Sequence, residues 1–106
     1  MKIYTVTHRS TVDCYKRPET YTKNLGAYKD MDEAYSVASG KLHSLLNDYE
    51  AFEDETTKEE YKVFMDIAPD NQSHYEYLCQ LGETTFEPEF VQDLVEEVMV
   101  DTTLLT

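Results

Sequence analysis

The chain has 106 residues, a formal charge of −13 from 22 Asp and Glu against nine Lys and Arg, and a hydrophobic fraction of 41 % with nine Tyr and four Phe. That length supports one modest core, and this many rings exceed what a disordered acidic tail carries, so 1–106 is expected to fold as a single domain. Residues 1–43 hold seven Lys or Arg against five acids, residues 44–106 hold two against seventeen, and no cation follows Lys62. A half so one-signed excludes direct binding to nucleic acid or an anionic membrane and favours a basic protein partner.

Met1 to Ser10 alternates in part, with Ile3 and Val6 among Tyr4, Thr5 and Thr7, and predicts an opening strand. Thr11 to Asn24 is polar and contains Arg17-Pro18, which suits either a loop or the arms of an irregular hairpin. Leu25 to Tyr28 reads as a short strand entering a turn. Asp30 is a helix N-cap with Glu33 three residues on, and Met31, Ala34, Tyr35, Val37, Ala38, Leu42, Leu45, Leu46 and Tyr49 recur at threes and fours, predicting an amphipathic helix weakened at Gly40. An acidic loop is expected near 48–60. Tyr61, Val63, Met65 and Ile67 alternate as a strand would, although Tyr61, Phe64, Met65 and Ala68 also fit a short helix. The strand is preferred, because a turn at Pro69 to Gln72 and a second alternation through Tyr75, Tyr77, Cys79 and Leu81 complete a hairpin. Phe90, Val91, Leu94, Val95, Val98 and Met99 predict a second amphipathic helix, followed by a frayed tail over 101–106. The expected fold class is α+β, a mainly antiparallel sheet with two helices in the order β-β-α-β-β-α.

The opening Lys2 to His8, followed by Leu25-Gly26-Ala27-Tyr28-Lys29-Asp30-Met31-Asp32-Glu33-Ala34, resembles the strand, turn and capped-helix entry of small phage and bacterial α+β proteins of unassigned role. The small size, tyrosine content and acidity are similar to those of phage-encoded host-interference proteins of the anti-CRISPR and DNA-mimic type. This second resemblance is one of composition and transfers no site residues. It implies an inhibitor whose partner is a basic nucleic-acid-handling protein such as a nuclease or CRISPR effector. No apolar run follows Met1, so neither a secretory signal nor a membrane span is expected, and the location implied is cytoplasmic, the host cytoplasm if the protein is phage-encoded.

On the expected second helix, Glu89, Asp93, Glu96 and Glu97 share one side, with Glu89, Asp93 and Glu97 repeating about every 6 Å, comparable with charges along a phosphate backbone. Glu50, Glu53, Asp54, Glu55, Glu59 and Glu60 form a second acidic run without the spacing of a calcium loop. The expected partner-binding residues are Glu53, Asp54, Glu55, Glu89, Asp93, Glu96 and Glu97. Tyr49, Tyr61, Tyr75 and Tyr77 sit near acids and suit a protein interface. His8, His43, His74, Cys14 and Cys79 stand in no nucleophile or metal spacing, so neither catalysis, metal nor cofactor is expected, and the two thiols are read as reduced or, alternatively, as one Cys14 to Cys79 disulfide. The competing functional reading is a homodimeric assembly module whose acidity only confers solubility.

Overall fold

In the computed structural model, which describes residues 1–14, 17–85 and 92–104, three strands and three α-helices form an α+β domain. Strand β1 (Lys2–Cys14) is central in a sheet of order β2-β1-β3, antiparallel on both sides to β2 (Arg17–Tyr28) and β3 (Gln92–Leu104). Pairing of β1 with β2 runs from Tyr4 opposite Tyr28 to Cys14 opposite Arg17, so the described residues of the polar segment after Ser10, 11–14 and 17–24, take the hairpin-arm alternative. The register slips between Val6 and Thr7, where Leu25 is the extra residue. Gly26 there has φ +147°, a conformation open to glycine and strained for any side chain.

Helix α1 (Met31–Asp48) starts where expected. The Asp30 carboxylate accepts the Asp32 N–H at 3.0 Å, satisfying one of the orphan donors of the first turn. Its buried stripe of Ala34, Ala38, Leu42, Leu45 and Leu46 meets Val6 and Val98 on one face of the sheet, and Leu78 closes this core. Residues of β1 and β3 alternate about that face: Val6 and His8 lie on it with Val100, Val98 and Glu96, while Thr5, Thr7 and Arg9 lie on the other with Met99 and Glu97.

The remaining elements differ from the alternation-based expectations. The segment read as an acidic loop is the end of α1, a 3-10 turn at Ala51–Glu53, and the start of α2 (Glu55–Ile67). Asp54 caps α2 by accepting the Thr56 N–H at 3.0 Å, and Ala68 ends it before Pro69, so the segment predicted as a strand at 61–67 takes its helical alternative. The second arm of that expected hairpin is α3 (Asn71–Thr85). Asp70 accepts the Ser73 N–H at 2.8 Å, and the helix turns Tyr75, Leu78 and Gly82 toward α1 and the sheet, with the Tyr75 hydroxyl donating to the Val98 carbonyl. Of the predicted second amphipathic helix, Phe90 and Val91 lie outside the described residues, and from Gln92 onward the segment is strand β3, which extends to Leu104 opposite Lys2. The tail through residue 104 therefore belongs to the sheet. Leu94 and Val98 stand four apart as a helix would place them and Val98 and Val100 two apart as a strand would, and the unpaired edge of β1 selects the strand.

With helices on one face of a single sheet, the molecule is a slab of 45 × 38 × 15 Å. Its radius of gyration, 15.1 Å, exceeds the roughly 13 Å usual for this length. The long, thin shape leaves α2 at the periphery, where it sets the candidate site.

Candidate acidic interface

The seven acids expected to bind a partner fall into separate environments. Consecutive strand residues point to opposite faces, so Glu96 and Glu97 do not share a stripe. Glu96 lies on the helix-covered face, its side chain 7 % exposed, where it accepts from Ser10 Oγ at 2.7 Å and bonds to His8 Nε2. Ser10 sits directly across from it and His8 diagonally, the two positions within reach of a long side chain in an antiparallel pair. Because the hydroxyl and the imidazole both turn to the carboxylate, the group clips β1 to β3 without forming a serine–histidine nucleophile pair. The phenol of Tyr49, the C-cap of α1, is pushed up by burial and then by the charges of Glu96 and Asp48. Glu97, on the open face, pairs with Arg9 directly opposite. Asp93 lies in β3 across from Asp13, four residues and about 13 Å from Glu97 along a strand, so the 6 Å repeat does not exist there. Glu89 lies outside the described residues.

Glu53, Asp54 and Glu55 occupy the second environment. All three are exposed, as are Glu50, Glu59 and Glu60. Among the described residues, Glu59 alone of these six faces a cation, Lys62 at 4.0 Å on the same helix, a pair of little energetic weight. Asp54 also has a local task as the α2 cap. Glu50 adopts the left-handed region at φ 62°, which turns the chain out of α1 into the 3-10 turn at Ala51–Glu53.

Aromatic rings hold this segment to the body. His43 on α1 stacks on Phe52 with centroids 4.9 Å apart, Phe52 meets Tyr61 at 5.0 Å, and Phe64 stacks on Tyr77 of α3 at 4.2 Å and 11°. The Tyr61 hydroxyl shares a hydrogen bond of 3.0 Å with His74 Nε2. Burial pushes the His74 imidazole below its ordinary value, with His43 adding to the effect, and raises the Tyr61 phenol. Tyr61 and Tyr77, singled out as interface tyrosines, are thus anchors of α2, and Tyr75 is a tie to the sheet whose phenol is held far above its usual range by burial. Cys79 carries a free, half-buried thiol, so the Cys14 to Cys79 disulfide is not formed, and burial pushes that thiol up, away from reactivity.

The apolar residues on the outside of α2, Val63 and Ile67, were not among the expected site residues. Asp54 as cap and Pro69 as stop are the sequence signals that could have placed them on a helix. No helix of the described residues is long and apolar enough to cross a membrane, and these residues hold no group of three or more His, Cys, Asp or Glu arranged for a metal ion. The class defined by fold and surface is an α+β protein with a one-sided three-stranded sheet and a peripheral acidic helix. No family model, curated protein or solved structure matches the chain.

Proposed function

We propose that this protein is an acidic inhibitor that docks on the basic nucleic-acid-binding surface of a partner protein, in the manner of DNA mimics and anti-CRISPR proteins. The observation that supports the reading is the exposed run of Glu50, Glu53, Glu55, Glu59 and Glu60, presented on a structured turn and helix with one weak cation contact among them. Helix α2 also carries Lys58 and Lys62, yet among the described residues only Lys62 comes within 4.0 Å of one of these acids, so most of their charge is left unpaired. Here Glu55 and Glu59 stand about 6 Å apart on a rigid rod, so their charge is displayed without the ordering cost of a disordered tail. Association is steered by charge and weakened by salt.

The test is capture of partners from nuclease-treated bacterial lysate, elution along a salt gradient, and competition of the recovered protein with duplex DNA. A basic nucleic-acid-binding protein that DNA displaces, and that binds Glu53→Lys/Glu55→Lys/Glu59→Lys about a hundredfold more weakly, is the expected result. Unchanged affinity of the triple variant would remove the reading. Recovery of the bait alone as a salt-resistant dimer would replace it with the assembly module.

A further inference from the structure

The outer side of α2 is unusual for a helix of a folded domain. None of its residues is fully buried, and Val63 and Ile67, one turn apart on the same face, are 62 % and 73 % exposed. Phe64 borders them, and Glu59 and Glu60 stand one turn before Val63, so the five residues line one shallow depression with an apolar floor and acids at one end. From this we infer that α2 is the docking site for a basic amphipathic helix of a partner, whose apolar residues cover Val63 and Ile67 and whose Lys or Arg side chains reach Glu59 and Glu60.

Charge complementarity selects this occupant. A second copy packed antiparallel about Val63 would set Glu60 against Asp66 of the other chain and bring together two molecules of formal charge −13. An anionic membrane is repelled by the same charge. A neutral apolar partner would cover Glu59 and Glu60 without compensating them, and leaving a carboxylate desolvated and unpaired is costly. A strand is disfavoured because it binds through an open backbone edge, which a helix lacks, whereas a ridge of residues four apart fits the groove of another helix. Lys and Arg also carry aliphatic stems that can lie along Val63 while their heads meet the acids. The inference specifies the partner element for the acidic segment and in that respect rests on the function proposed above, but it requires an apolar contribution that a purely electrostatic mimic does not.

Two peptides of equal length and equal positive charge provide the test: a Leu/Lys helix of about five turns and a Gly/Ser/Lys chain with no apolar face. Titration into the full-length protein should show the Leu/Lys peptide binding at least tenfold more tightly than its control. Val63→Ser/Ile67→Ser should abolish that difference while leaving the control's affinity unchanged, with circular dichroism confirming the fold. Glu59→Gln/Glu60→Gln should weaken both peptides. Equal affinity of the two peptides for the wild-type protein, or an unaltered preference in Val63→Ser/Ile67→Ser, would overturn the inference. So would light scattering that shows a dimer dissolved by Val63→Ser/Ile67→Ser, because the occupant would then be a second copy. The peptide preference is read without any nucleic-acid-binding protein, so it can stand where DNA competition fails, and can fail where DNA competition stands.

Discussion

Strand β3 and the segment from Glu50 to Asp66 are both acidic, yet their carboxylates do different work. Glu96 spends its charge inside the fold on Ser10 and His8, and Glu97 meets Arg9 across the sheet. Glu53, Glu55 and Glu60 meet no cation among the described residues. The cause is topology. β3 lies beside β1, which comes from the cation-bearing half of the chain, whereas α2 lies at the margin and touches the body through rings. An acidic sequence therefore predicts a net field, and the tertiary neighbours decide which acids are available to a partner.

The largest test of this contrast is Glu96→Ala. It strands two part-buried partners and is expected to cost about 2–3 kcal/mol in urea unfolding, against less than about 1 kcal/mol for Glu97→Ala at its exposed pair. Equal losses would mean that the Glu96 clip is not a distinct structural element. On α2, Asp54→Ala should cost about 1 kcal/mol through loss of the cap, while Glu53→Gln and Glu55→Gln stay within about 0.5 kcal/mol of wild type. A large loss at Glu53 or Glu55 would show those acids to be structural as well. The smallest effect is in pH. The folded state holds His74 below its ordinary value near 6.5, so its contribution is complete above that value and is lost as pH falls through and below it. Unfolding measured from pH 7.5 to 5.5 should show stability declining, with a flatter profile in His74→Gln. An identical slope in that variant would place the titration elsewhere.

Local signals made part of this legible. The Asp30 cap and the spacing of Ala34, Ala38, Leu42 and Leu45 specify α1 without reference to anything distant, and the β-branched opening around Val6 specifies the start of β1. Glu53, Asp54 and Glu55 were legible as exposed acids for the same reason. Tyr61 to Ile67 satisfied both periods at once, and the choice between them lay in Asp54, Pro69 and the rings of Phe52 and Tyr77 that receive Tyr61 and Phe64.

By itself the sequence determined the α+β class, the first helix, and a charge asymmetry between the two halves of the chain. Only the tertiary structure decided that Val98 and Val100 lie in a strand, that Glu96 is consumed by His8 and Ser10, and that Val63 and Ile67 face outward. The physical reason is range. A cap and a helical stripe act over a few residues, whereas β3 reaches its partner strand across 88 residues between His8 and Glu96, a pairing that no local pattern encodes.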